Sequence, residues 1–451
     1  MNEPIKCYYT LGGINYKNGF VTSCPQQVDQ LYVIKDNNSV IKPSEIINSE
    51  NFRKHRLDMM SGTWSAGCHL CKEIEERNAG HSMRMDYPAD DTYYNHDTGE
   101  IDFRGVKHVE LRFSNSCNMA CLHCSDVYSS GWMSKLKYYT PDQEDWDRDI
   151  VQLTRMFHRI STEDKISIDI DLDNMAEIVN DLNANFPNIE KIDFAGGEVL
   201  YQKQFFPCLE LLAKHPNVSK IKICFHSNFN AKADMSRLYE LLKPFSEGRT
   251  INRTTIMMSL DAGKNIYPYF RTGDWEVLKE NVRKFKELDY NNTIDLNIVC
   301  TTSAYQIMDL VNVFESFFEL DINTIDSSIV YYPKYINPSL MMLDHADHVL
   351  NDIAETRRSI MKEKLRRISN FEEAVKMRSW STKYKIFTDL HWASKALDNI
   401  ETYVRNNQAR REELETFMIY IKKSDVLWKH NFNDYFKKYK IVDNKITRVE
   451  G

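Results

Sequence analysis

From about residue 107 the chain alternates short runs of β-branched and aromatic residues with longer stretches whose apolar positions recur every three or four residues. That alternation is the sequence form of a parallel sheet with crossover helices. Strands are expected at 107–113, 190–195, 220–227, 255–260, 294–301 and 324–331, and helices between them at 173–185, 205–214, 233–242, 275–288 and 305–319. Six strand–helix units are too few to close an eight-stranded barrel, which leaves an open, partial barrel or a doubly wound sheet. In both, ligands gather at the carboxyl ends of the strands. The polar, charged segment 138–173, with a helix expected at 146–160, separates the first strand from the second and is expected to lie outside the sheet.

Before residue 102 the pattern differs. Short β-like pieces at 6–9, 19–23 and 30–34 are punctuated by Gly12-Gly13 and by Asn18-Gly19, a good hairpin turn. Beyond Pro338 the chain becomes helical and strongly charged, with one further strand candidate at 440–442. Three regions are therefore expected, at 1–100, 101–337 and 338–451.

The length of 451 residues and an apolar fraction of 42% allow a sizeable core. Lys+Arg 58 against Asp+Glu 65 gives a net charge of −7, which excludes a histone-like or nucleic-acid-coating class. Gly 15 and Pro 12 exclude collagen-like and disordered classes. No run of about eighteen apolar residues occurs, and the first residues lack the apolar stretch of a secretory signal. A cytoplasmic protein with no membrane partner is expected. The charge is uneven, since residues 351–451 carry 22 Lys+Arg and 15 Asp+Glu. A solvated helical face is the main reading of that tail, and a docking surface for RNA or an acidic protein is the other.

A reducing compartment makes disulfides an unlikely use of ten cysteines and leaves metal binding, catalysis or burial. They fall into three groups: Cys7, Cys24, Cys68 and Cys71; Cys117, Cys121 and Cys124; and Cys208, Cys224 and Cys300. The second group sits in Asn115-Ser116-Cys117-Asn118-Met119-Ala120-Cys121-Leu122-His123-Cys124, on the loop leaving the first expected strand of the alternating region. Three thiolates within eight residues wrap a metal centre. They are one short of a closed zinc site, which His123 could complete, and they suit a [4Fe–4S] cluster with one iron open to a small molecule.

This Cys-x3-Cys-x2-Cys loop resembles that of the radical S-adenosylmethionine (radical SAM) superfamily, and His123 matches the His or aromatic residue common before the last cysteine. Later strand ends extend the resemblance. Gly196-Gly197-Glu198 is similar to the Gly-Gly-Glu motif at the SAM amino group. Ser227-Asn228 is similar to the position near the SAM ribose and carboxylate. Ser259-Leu260-Asp261 with Arg271 is similar to the Ser-x-Asp strand end and the arginine that pairs the SAM carboxylate. The resemblance implies that Cys117, Cys121 and Cys124 bind a catalytic [4Fe–4S] cluster, and that Gly196, Gly197, Glu198, Ser227, Asn228, Asp261 and Arg271 position SAM. It further implies hydrogen-atom abstraction from an unactivated carbon, with electrons from a donor such as flavodoxin or ferredoxin.

The N-terminal group, with Gly62-Thr63-Trp64 before Cys68-His69-Leu70-Cys71 and then Glu75, Ser82 and Arg84, resembles the twitch module, a shortened relative of the SPASM domain. Such modules hold an auxiliary [4Fe–4S] cluster, which four cysteine ligands would fit for electron relay; a structural zinc is the alternative. Here the module precedes the barrel, where relatives usually place it after. The implied fold class is α/β: a partial (β/α)6 radical SAM barrel with a small N-terminal iron–sulfur (twitch) domain and a helical C-terminal extension. The substrate implied is a peptide or protein side chain or another small molecule, with tRNA, a nucleotide or a sugar as alternatives. A zinc-stabilised binding or scaffold protein is the reading from another class. Cys208 and Cys224 read as buried small hydrophobes. Cys300, beside the end of the fifth expected strand, is a hydrogen-donor candidate. Tyr331, Tyr332 and Tyr335 could line a substrate mouth.

Overall fold

The computed structural model describes residues 3–17, 19–27, 30–34, 41–76, 82–126, 128–136, 169–249, 253–322, 324–330, 334–375 and 380–449. The expected helix at 146–160, together with Asn18, Tyr331 and Tyr332, lies outside them. Eleven strands are described: β1 (Gly13–Lys17), β2 (Phe20–Thr22), β3 (Tyr32–Val33), β4 (His108–Leu111), β5 (Lys191–Phe194), β6 (Lys222–Ser227), β7 (Thr255–Ser259), β8 (Asp295–Thr302), β9 (Thr324–Ile329), β10 (Tyr439–Val442) and β11 (Lys445–Arg448). The first nine form one open sheet in the order β3-β2-β1-β4-β5-β6-β7-β8-β9. From β4 to β9 every pairing is parallel and follows chain order. This is an α/β fold whose sheet is mostly parallel and unclosed, with a helical C-terminal region.

Register explains why these segments are strands. Leu111, Phe194, Phe225 and Ile256 are successive partners across β4 to β7 and are all buried. Shifted by one residue, Glu110, Asp193, Cys224 and Thr255 are also successive partners, so the opposite face is more polar. Period-two side-chain alternation sends the two sets to opposite faces. Helices follow the strands at Leu172–Asn185, Phe205–Leu212, Met235–Leu242, Trp275–Leu288 and Leu310–Glu319. Three begin at aspartate caps, Asp171, Asp234 and Asp274, whose carboxylates accept hydrogen bonds from first-turn amides.

Two expectations fail. The piece at 6–9 is not a strand: Cys7 is extended, but Tyr8–Gly12 is a short helix in which Leu11 N donates to the Cys7 carbonyl, packed by Tyr8 and Tyr9 against Tyr87. The expected helix at 305–319 is two, Ala304–Ile307 and Leu310–Glu319, the first started by a capping box between Ser303 and Gln306. The N-terminal strand β1 pairs in parallel with β4 and extends the main sheet.

The tail folds as helices Met342–Val375, Trp380–Asn406 and Arg411–Trp428, followed by the β10–β11 hairpin. The second of these helices lies against the edge strand β9. Among the described residues no helix is long and apolar enough to cross a membrane.

Candidate metal centres

The loop after β4 carries the three thiols into an open cleft of about 1240 Å³ at the carboxyl ends of the strands. Cys117, Cys121 and Cys124 share its wall with Gly196, Gly197, Glu198, Ser227, Asn228 and Arg271. None of the ten cysteines is in a disulfide. Burial pushes the Cys117 thiol up to about 12, with neighbouring Cys121 adding to it, and it raises Cys121 and Cys124 likewise.

The two glycines after β5 exist because the cysteine loop passes directly over them. Gly196 and Gly197 both have positive φ, 82° and 48°, and a Cβ on Gly197 would stand 2.3 Å from the Ser116 carbonyl oxygen. At the next residue Glu198 N donates to that same oxygen at 2.9 Å. Gln202 Nε2 binds the Ser114 and Gly196 carbonyls at 3.0 and 2.6 Å, tying the two loops together.

Glu198 is buried, and both its carboxylate oxygens are held from β6. Ser227 Oγ donates to Oε1 at 2.7 Å and Asn228 N to Oε2 at 2.6 Å, while Leu200 N reaches Oε1 at 3.0 Å. Burial raises its pKa, and the Ser227 and Asn228 hydrogen bonds oppose that rise. On the other side, Arg271 donates to Asp261 Oδ2 at 2.7 Å in a buried pair. Burial alone would lower the guanidinium, but the neighbouring Cys121 and Asp261 raise it overall. Asp261 itself has φ 49° and accepts Thr301 N at 2.6 Å through Oδ1. It does not line the cleft; it orients Arg271, which does.

His123 stacks on Phe270, centroids 5.0 Å apart at 9°, and its Nε2 lies 3.4 Å from both Asp261 Oδ2 and Arg271. Burial lowers it to about 4, so it is neutral there. Its Nδ1 and the Arg271 Nε are buried with no hydrogen-bond partner among the described residues. Three thiols, a carboxylate, an arginine and unpaired polar atoms on one wall fit an iron–sulfur cluster with SAM beside it. Sequence reading missed Arg112, His226 and Thr301, which also line the cleft, the first from just past β4 and the others from β6 and β8. Their signal was polar residues at alternate positions of strands otherwise apolar. Cys300 is not in this wall: Thr301 faces the cleft, and Cys300 is buried in the hydrophobic core beside it. Tyr335 is likewise buried, packed on Tyr420, and forms no mouth.

The four N-terminal cysteines lie together. Cys7, Cys24, Cys68 and Cys71 line one small cavity with Met59, Trp64 and Arg84. Arg84 braces it, donating to both Glu75 oxygens at 2.9 and 2.5 Å and to the Lys6 carbonyl at 2.8 Å, with its guanidinium 5.8 Å from the Trp64 ring centroid. Ser82 Oγ adds a hydrogen bond to Glu75 at 2.5 Å. Burial pushes the Cys24 thiol up to about 12. Among the described residues no three His, Cys, Asp or Glu side chains converge as a single-ion site. In both places the thiols instead line a common cavity.

Residues 111–303 match the family model described as the Radical SAM superfamily, whose members are enzymes. The chain therefore carries a radical SAM domain over that stretch. No curated protein matches. Among solved structures the chain is similar to anSMEcpe with bound AdoMet, at 19% identity and TM-score 0.33, over 49% of this chain and 49% of that one. It is also similar to native anSMEcpe with bound AdoMet and the Cp18Cys peptide, at 17% and 0.35, over 58% and 61%. A third is Streptococcus suis SuiB bound to precursor peptide SuiA, at 12% and 0.31, over 58% and 52%. The chain spans about half the length of the first of these, and likenesses this low carry no substrate or mechanism.

Proposed function

We propose that the chain is a radical SAM enzyme with two iron–sulfur centres. Cys117, Cys121 and Cys124 would hold the catalytic [4Fe–4S] cluster, and Gly196, Gly197, Glu198, Ser227, Asn228 and Arg271 would position SAM, with Asp261 behind Arg271. When bound, the cluster and SAM supply reductive cleavage of SAM and, from it, hydrogen-atom abstraction from a substrate carbon. The protein's own contribution is orientation. Ser227 and Asn228 fix the Glu198 carboxylate where an ammonium can meet it, Asp261 holds the Arg271 fork toward a carboxylate, and the glycines bring backbone close to the thiols. The observation that carries this reading is a trio of thiols with no fourth cysteine, sharing one wall with that carboxylate and that guanidinium.

Cys7, Cys24, Cys68 and Cys71 would hold an auxiliary [4Fe–4S] cluster assisting electron transfer, supported by their common cavity and its Arg84–Glu75 brace. A peptide or protein side chain is the preferred substrate, on the resemblance of the N-terminal cysteine pattern to modules common in peptide-modifying enzymes. A flavodoxin- or ferredoxin-type donor would supply electrons. The test is anaerobic: reconstituted, reduced protein incubated with SAM yields 5′-deoxyadenosine and about eight irons per chain. A colourless protein with one or two zincs, or an intact cluster that releases no 5′-deoxyadenosine, would overturn the proposal.

A further inference from the structure

The carbonyls of Ala120, Cys121 and Leu122, three consecutive residues of the cysteine loop, each accept a hydrogen bond from an aromatic side chain. Trp428 Nε1 donates to Ala120 O at 2.9 Å, Trp132 Nε1 to Cys121 O at 2.8 Å, and Tyr420 Oη to Leu122 O. All three aromatic residues are buried. The amides of the same stretch are fixed from the other side: Ala120 N donates to Thr272 Oγ1 at 2.8 Å and Leu122 N to the Phe270 carbonyl at 2.9 Å. A loop with no secondary structure of its own thus has its peptide groups held from outside, which narrows the conformations open to it.

Two of the three aromatic donors come from about 300 residues away, on the helix Arg411–Trp428. That helix is itself anchored. Its Trp428 ring packs edge-on against Trp132 at 4.6 Å, Phe417 packs on Tyr305 at 5.0 Å, and Arg411 pairs with Asp344 through two hydrogen bonds of 2.6 and 2.8 Å. The segment after the helix reaches the Arg271 side of the cleft as well, because His430, Phe432, Tyr435 and Phe436 surround Tyr269, two residues before Arg271.

We infer that the C-terminal helix is a clamp on the cysteine loop, with Tyr420 and Trp428 as positioning residues that hold the backbone between Cys117 and Cys124 in the shape a cluster needs. The inference gives a place in the site to a region whose sequence suggested a solvated face, and it rests on the proposed role of that loop. Neither residue touches the cleft; each acts through a carbonyl.

The test uses the full-length chain with Tyr420→Phe and Trp428→Phe, which keep a ring in place and remove only the donors. In metal-free protein, alkylation of Cys117, Cys121 and Cys124 by iodoacetamide, followed by mass spectrometry, accelerates about tenfold in the double variant while Cys7 and Cys24 react at their original rates. In reconstituted protein, iron loss to a chelator splits into a faster half and an unchanged half, and the reduced protein's paramagnetic resonance spectrum in the presence of SAM changes. Unchanged alkylation overturns the clamp. Equal acceleration at both cysteine sets overturns it too, because it marks general loosening. Alkylation needs no iron, so a chain that fails to take up a cluster refutes the proposed function while the clamp is still decided by the thiols.

Discussion

The contact between Gly197 and the cysteine loop gives the sharpest prediction. In Gly197→Ala the new Cβ stands 2.3 Å from Ser116 O, 2.8 Å from the Asn115 carbonyl carbon and 2.9 Å from that of Ser116, all backbone atoms that no rotamer change can move aside. Positive φ costs an alanine about 1–2 kcal/mol by itself. Ordinary contact then requires the Ser116 carbonyl to retreat by about 1 Å, which strains or breaks the 2.9 Å hydrogen bond from Glu198 N, a further loss of about 1 kcal/mol. The displaced residue immediately precedes Cys117. The internal control is Gly248→Ala, where φ is 74° but nothing lies within 4 Å of the new methyl, so only the conformational term operates. Gly196→Ala, at 3.2 Å from Ser114 O, falls between them. Thermal unfolding of the three variants should rank Gly248→Ala mildest and Gly197→Ala worst. Iron uptake should fall by about half in Gly197→Ala alone, since the N-terminal cysteine cavity is untouched. Equal melting losses at 197 and 248, with full iron in both, would refute the close-approach argument.

Other consequences follow from the same geometry. Arg271→Lys keeps the charge but not the fork, and SAM affinity measured by equilibrium binding should weaken roughly 10- to 100-fold. Asp261→Asn tolerates the positive φ yet leaves Arg271 buried without its counter-charge, so denaturant titration should show a loss of roughly 3–5 kcal/mol. Cys300→Ala should leave deuterium incorporation into product unchanged, because the thiol is in the core; an altered isotope pattern would restore it as a hydrogen donor. At the start of the helix Leu310–Glu319, burial raises the Asp309 carboxyl to about 7, and its Oδ2 has no partner among the described residues. The folded state then binds more protons than the unfolded one between pH 4 and 7, so this group makes stability fall as pH rises through that window. Asp309→Asn should raise the melting temperature at pH 8 and remove that part of the slope, and an unchanged pH profile would contradict the assignment.

The strands from β4 to β9 were legible because one face of each is apolar and the register aligns those faces, and the candidate SAM residues were legible because they sit where strands end. What escaped shares a cause. Strand β1 (Gly13–Lys17) has little local signal, since its place is set by pairing with β4 some ninety residues later. The helix Tyr8–Gly12 has a strand-like composition and owes its shape to packing among Tyr8, Tyr9 and Tyr87. At the cleft, the Ser-x-Asp resemblance implies that Asp261 positions SAM, and what the sequence leaves open is the route: its carboxylate turns inward to Arg271 and Thr301 N. That distinction depends on a positive φ that composition does not encode. Tyr420 and Trp428 carried no motif at all, because a side chain bound to a main-chain carbonyl leaves no pattern in the carbonyl's residue.

This arrangement also bears on the reading of the charged tail as an RNA-docking surface. Its case was a surplus of cations in residues 351–451; the pairs of Arg357 with Asp398 and Glu401 and of Lys438 and Arg448 with Asp352 lie within that count and leave the surplus as it is, whereas Arg411 pairs with Asp344 outside it. Pairs inside the tail fix where its cations stand without changing the net charge a polyanion would meet, and those on the buried Asp352 tie Lys438 and Arg448 to the fold. Deleting the tail would not be a clean test of docking, because it removes the partners of Ala120 and Leu122 and uncovers Trp132 and Tyr305, both fully buried. Loss of activity after such a truncation would follow from a loosened cysteine loop whether or not RNA ever binds. Docking has to be sought in the intact chain, as binding to RNA that weakens steeply with salt. A flat salt dependence would leave the tail with the structural duty its hydrogen bonds describe.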